Sequence, residues 1–250
     1  MKSIFKKLVI IGASIISTSA FADPFSSEWN WQNDKLVGAV KEITMLNTKT
    51  KKASSVSYYS KDSLKTKEVS LDKNGKADYI TTLEYDAKKR LSKIKLNKEG
   101  KKEPLWIETA TYNAKNLIEQ VVRKQGNETS KSKEFKYDKN GLSEITIAMG
   151  SRSMTWYFKF SKDKNLMESS MSADGTTRGK ATYEYDKHNN PIKIKSVYGK
   201  YSRIIKISYQ YDKVGNWIQK TNKTTAYKDG KISGKPYSYT AERKIIYYSK

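Results

Sequence analysis

From about residue 35 onward, apolar and polar residues alternate with a period of two. Tyr183 and Tyr185 share one face and Glu184 and Asp186 the other, while Ile192 and Ile194 alternate with Lys193 and Lys195. Ile205, Ile207, Tyr209 and Tyr211 line one face of a longer segment. This period over many segments predicts half-buried antiparallel strands. The first are expected over Lys35 to Asn47, Ser54 to Tyr59 and Lys65 to Leu71, and no amphipathic helix follows the N-terminal leader. The fold class is therefore all-β: antiparallel hairpins in one large meander of about a dozen or more strands. Because neighbouring strands twist by roughly 20–25°, such a sheet must curl, as an open barrel, a spiral or a closed form.

Acidic or amide corners punctuate the pattern. Reading from Asp72, they fall at Asp86, Asn113, Asp138, Ser161, Asp186 and Asp212, with a period near 25 after the first, shorter interval. A repeat of that length fits two strands and two turns. Asp or Asn opening a type I turn accepts from backbone N–H groups further on, and Gly or Asn three residues later closes the hairpin with φ > 0. Asp72 with Gly75, Asn113 with Asn116, Asp138 with Gly141, Asp186 with Asn189 and Asp212 with Gly215 fit; Asp86 with Lys89 does not. The repeats run from about 69 to 221, flanked by further strands over 35–68 and 222–250.

Residues 1–22 stand apart. Lys2, Lys6 and Lys7 precede an apolar run, and Ala20-Phe21-Ala22 is a small-x-small site, the pattern of a secretory leader cleaved between Ala22 and Asp23. The run is too short to span a bilayer. Residues 23–250 then form one domain, periplasmic or secreted in a bacterium. The chain has no cysteine, so packing and strand pairing alone must hold it. Trp29 and Trp31, two apart, are expected to pin the N-terminal segment to the sheet.

The formal charge is +23, and three of those charges belong to the leader. Only six of the 49 basic residues are Arg. Compositional bias toward Lys is one source of this excess; attraction to polyanions is the other. Lysine is a point charge on a flexible stem, so such attraction is salt-sensitive and unselective.

Tyr183 to Ile192, Tyr209 to Trp217 and Phe135 to Leu142 resemble the YD repeat of the Rhs family, in which Tyr-Asp is followed by x-x-Gly or x-x-Asn and an apolar residue. The likeness covers about two-thirds of the exported chain. It implies hairpins wound into a curved sheet, export, and a loose association with carbohydrate or surface binding. The large members' role as a shell around a toxin does not carry over. There are too few repeats to enclose a second domain, and strand pattern continues to the last residues.

Catalytic chemistry finds little footing. A single His, His188, lies in a turn, and no cysteine, G-x-S-x-G elbow or Gly-rich phosphate loop is present. No catalytic residue, metal site or cofactor is expected. Trp156-Tyr157-Phe158 puts aromatics on both faces of a strand, so at least one must be exposed or covered by a partner. Tyr198, Lys200 and Tyr201 crowd a loop tip. Together with Lys193 and Lys195, the residues Trp156, Tyr157, Tyr198, Lys200 and Tyr201 are the candidate surface-binding set, suited to stacking on sugar rings beside positive charge. The expected function is non-catalytic binding of an anionic glycan or envelope protein. Sheet-edge pairing with a partner strand is the alternative, a glycan hydrolase a remoter one, and nucleic acid is disfavoured by compartment.

Overall fold

The computed structural model describes residues 36–249 apart from 140, 150, 151, 163, 164 and 174; the leader and the Trp29–Trp31 pair lie outside the described residues. The strands are β1 Val40–Leu46, β2 Ala53–Tyr59, β3 Lys65–Leu71, β4 Ala77–Tyr85, β5 Leu91–Lys98, β6 Trp106–Tyr112, β7 Ile118–Gln125, β8 Glu128–Asp138, β9 Gly141–Met149, β10 Arg152–Phe160, β11 Leu166–Ala173, β12 Thr176–Tyr185, β13 Pro191–Tyr198, β14 Tyr201–Tyr211, β15 Trp217–Lys228, the two-residue β16 Lys231–Ile232, and β17 Tyr237–Tyr247. The first is shorter than the alternation suggests, because Gly38 takes φ 80° ahead of it and Val37 stays outside the strand.

Each strand pairs antiparallel with the next through β15, β15 pairs with β17, and β17 returns to β1. Leaving aside β16, which pairs only with β15, sixteen strands therefore close into a barrel. Closure gives the first and last strands a partner on both sides.

The corners explain how one phrase builds the ring. Ser60, Asp86, Asn113, Ser161, Asp186 and Asp212 each follow an even-numbered strand and Asp138 ends one, so all seven lie at one end. Asp72 follows β3 and lies at the opposite end. Its turn chemistry is the same, but it is not the first of the series; Ser60 is. Period and face are linked because two antiparallel strands return the chain to the same rim. Lys89 reaches φ 60° like its counterparts Asn116 (62°) and Asn189 (60°), so the turn at Asp86 forms despite its unfavourable residue.

Register assigns the faces. Leu83, Ile94, Glu108 and Arg123 are directly opposite one another across β4 to β7, and Glu84, Lys93, Thr109 and Val122 form the adjoining row. The first row is the interior. Ile94, Val121 and Ile145 are fully buried in one cluster that also takes in Leu83, Leu91, Phe135, Trp156, Phe158 and Met171. Fully burying an aliphatic side chain of this kind stabilises by about 1.5–3 kcal/mol.

Candidate functional site

At the corner rim, backbone and side chains form a collar. Asp212 Oδ1 accepts from the N–H groups of Val214, Gly215 and Asn216 at 2.9–3.0 Å, and Asp186 Oδ1 from those of His188 and Asn190 at 2.8 and 2.9 Å. The second oxygen of each takes a tyrosine hydroxyl, Tyr247 for Asp212 and Tyr211 for Asp186. Asn216 and Asn190 in turn donate to those same hydroxyls at 2.8 and 2.9 Å. Burial pushes Asp212 up, but the Tyr247 hydroxyl and the turn amides outweigh it and hold the carboxyl below its ordinary value.

The repeated tyrosine has a second use. Tyr85, Tyr112 and Tyr185 donate to the first carbonyl of the nearest upstream odd strand, Lys65, Leu91 and Leu166, at 2.6–2.7 Å. A carbonyl beside the bulge at a strand start would otherwise lack a donor, and the tyrosine hydroxyl supplies one in these copies; Phe160 holds the same position before Ser161 without a hydroxyl. Burial pushes Tyr85, Tyr112 and Tyr137 up to about 12.

A cleft of about 290 Å³ opens beside the collar, lined by Leu36, Val37, His188, Asn189, Asn190, Gly215, Asn216, Trp217 and Arg243. Its groups are committed to structure. Asn216 clasps Val37, accepting from its N–H at 2.8 Å and donating to its carbonyl at 2.7 Å. The Arg243 guanidinium stacks 3.7 Å from the Trp217 ring, and its Nε donates to the Trp217 carbonyl. The His188 ring stacks 4.3 Å from Tyr211. Among the described residues, no three His, Asp or Glu side chains are grouped to hold a metal.

The candidate binding residues separate by face and by end. Trp156 points inward at 7% exposure, so the expectation that it serves an outer surface is corrected: strand parity gives it to the interior with Phe158. Tyr157, one residue on, points outward at 45% exposure. Tyr198 and Tyr201 pair across the β13–β14 hairpin at the end opposite the collar, with Lys200 Nζ 5.8 Å from the Tyr201 ring. Lys193 and Lys195 lie on the outer face, three strands from Tyr157 and thus about 14 Å around the wall. No single site gathers the set.

Register adds two residues that sequence spacing hid. Lys193 is directly opposite Lys206, and Lys206 opposite Lys223, so three lysines cross β13, β14 and β15 in one outward row. Lys195 is two residues along from Lys193. Lys193 is paired with Glu184 at 2.8 Å. Among the described residues no carboxylate lies within ion-pair distance of Lys195, Lys206 or Lys223. Elsewhere on the outer wall several lysines are paired: Glu84 meets Lys93 and Lys95, Glu144 meets Lys136, and Glu168 meets Lys159 and Lys180.

No family model and no curated protein matches the chain. Among solved structures, it is similar to a porin-like protein from Bacteroides uniformis at TM-score 0.57 and 11% identity, over 84% of this chain and 98% of that one. A porin-like protein from Bacteroides vulgatus aligns over the same shares at TM-score 0.45 and 12% identity. The first likeness is one of fold alone.

The faces of this barrel run opposite to those of a membrane barrel, which turns an apolar band outward. Here the apolar cluster points in, and paired and unpaired lysines occupy the outer wall at mid-strand. A lysine facing lipid at the bilayer midplane costs about 2–4 kcal/mol. Strands β1, β2, β3 and β6 have seven residues each, short of the roughly 9–11 needed to cross a bilayer at a tilt. The outer wall is built to face water.

Proposed function

We infer that this chain is an exported, non-catalytic barrel that holds an anionic surface polymer against the outer wall of β13–β15. The observation that carries the reading is the Lys193–Lys206–Lys223 row with Lys195 beside it. Like charges directly opposite on neighbouring strands destabilise a sheet. Two such pairs persist although Glu84, Glu144 and Glu168 pair with Lys93, Lys95, Lys136, Lys159 and Lys180 elsewhere on the wall. Neighbouring strands are about 4.8 Å apart, well inside the screening length of about 8 Å at physiological salt, so the potentials of the row add and favour a polyanion over a lone anion. Export is supported by the leader pattern of residues 1–22. The relation to YD-repeat proteins is supported by seven corners of one period sharing one rim.

Retention of residues 23–250 on an immobilised anionic glycan, eluted with salt, tests the reading. The double substitution Lys206→Glu with Lys223→Glu is expected to lower the eluting salt substantially, whereas Lys136→Glu with Lys159→Glu, an equal change of charge elsewhere on the wall, lowers it less. Equal effects would reduce the attraction to net charge alone and remove the row from it. The hydrolase alternative finds no support in the commitments of Asp186 and His188 to the collar.

A further inference from the structure

Closure leaves one stretch of wall unfinished. β17 pairs with β15 from Tyr237 to Glu242, but with β1 only from Glu242 to Tyr247. The cause is unequal strand length: β14, β15 and β17 have 11, 12 and 11 residues, whereas β1, β2 and β3 have seven each. Residues 237–240 therefore stand above the β1–β2 turn with a strand on one side only among the described residues. Tyr237 and Tyr239 are 48% and 41% exposed, although their face becomes fully internal two residues on, at Ala241.

An unpaired edge is a template for another strand, and proteins usually blunt one with Lys, Pro or a bulge. Lys235 and Pro236 blunt this edge above residue 237, but from Tyr237 to Ala241 no charge, proline or bulge follows. In a chain that is 30% charged, the uncharged segment coincides with the unpaired one.

We propose that the 237–240 edge of β17 accepts an extended, acidic segment of a partner protein by strand addition. The alternating N–H and C=O groups of the edge match a peptide backbone and give a glycan no regular complement. The outer row Lys193–Lys206–Lys223 continues to Ser238 of β17, and the next position outward belongs to the incoming strand. An acidic side chain there extends the row with the opposite sign. The excess of positive charge, most of it outside the leader, opposes a second copy of this chain as the occupant. The preference for acid draws on the same lysines as the polymer reading; the backbone pairing does not.

The test is a nine-residue peptide display library panned on residues 23–250, followed by titration of the best synthetic peptide. Ser238→Glu, which sets a like charge directly opposite the incoming acidic side chain, is expected to weaken binding of the acidic peptide several-fold, with its thermal melt recorded alongside. N-methylation of one alternate set of peptide amides should abolish binding while the other set leaves it unchanged, a readout independent of how any variant folds. Lys206→Glu with Lys223→Glu should reduce the preference for acidic peptides yet leave the N-methylation pattern intact, which separates this proposal from the polymer reading. Indifference to N-methylation or to Ser238→Glu overturns it, as does failure to enrich any peptide. A dimer in sedimentation that competes with the peptide gives the edge to a second copy, and binding only after removal of residues 24–35 gives it to the chain's own segment; both outcomes overturn the proposal.

Discussion

Replacing Asn216 with Ala should open the barrel at its seam. Asn216 is 2% exposed and its amide makes three hydrogen bonds: from Val37 N–H at 2.8 Å, to the Val37 carbonyl at 2.7 Å and to Tyr247 Oη at 2.8 Å. Val37 leads into β1 and Tyr247 ends β17, so one side chain ties both closing strands to the β14–β15 corner. At about 1 kcal/mol net per bond, the loss is about 3 kcal/mol. For a domain of this size each kcal/mol moves Tm by about 2–4 °C, so a fall of about 6–12 °C is expected by circular dichroism. Asn190 is the internal control. It occupies the same corner position and donates to Tyr211 Oη at 2.9 Å, but has no clasp on a terminal strand. Asn190→Ala should cost about 1 kcal/mol, one bond's worth. Amide exchange should accelerate in β1 and β17 of Asn216→Ala and stay near wild type elsewhere. If the two variants melt together, or exchange quickens uniformly, the clasp is not what holds the seam.

Other consequences can be checked directly. Glu108 is fully buried and takes both Nε and Nη2 of Arg123 on one oxygen, at 3.1 and 2.7 Å. Arg123→Ala leaves that carboxylate without this partner, and urea titration should show a loss of about 2–4 kcal/mol, below the full buried-pair cost because Arg123 is itself 36% exposed. Glu108→Gln should cost less, and a larger loss in Glu108→Gln would refute the charge argument. Tyr112→Phe removes the donor to the Leu91 carbonyl and should cost about 1 kcal/mol; no change in the urea midpoint would show that water satisfies that carbonyl equally well. Tyrosines held near 12 by burial contribute stability that is complete below the unfolded value of 10.0 and lost as pH rises toward 12. Alkaline unfolding should therefore set in above pH 10 with a coincident rise in tyrosinate absorbance, and ionisation of these residues while far-ultraviolet ellipticity stays native would contradict their burial. At the acid end, Asp86, held low first by Arg90, and Glu84, held low first by Lys95, contribute stability present above their ordinary values of 3.8 and 4.5 and lost as pH falls through the lowered ones. Stability should be flat from neutral pH to about 5 and decline below it.

Much of the architecture was legible in the residues because strand alternation and corner chemistry are local. The Asp-x-x-Gly and Asp-x-x-Asn phrases choose their turns through the side chain's own backbone neighbours, and period-two runs sort each strand into two faces. The Lys65 to Leu71 strand was read with its observed bounds for that reason. Local signals misled where the same chemistry serves two places. Asp72 carries the corner motif yet sits on the far rim, a distinction made only by whether the preceding strand is odd or even. Trp156 and Tyr157 are indistinguishable by composition, and a single step of parity buries one and exposes the other.

From sequence alone came the strands, the corner period, the leader pattern and the excess of positive charge, each decided within a few residues along the chain. Closure required β1 and β17, some two hundred residues apart, to find each other, and no local preference encodes that meeting. The lysine row, the Asn216 clasp and the unfinished edge of β17 all depend on which strands lie side by side and how far each outruns its neighbour. Those are properties of register and unequal length across the barrel, and they exist only once the ring has formed.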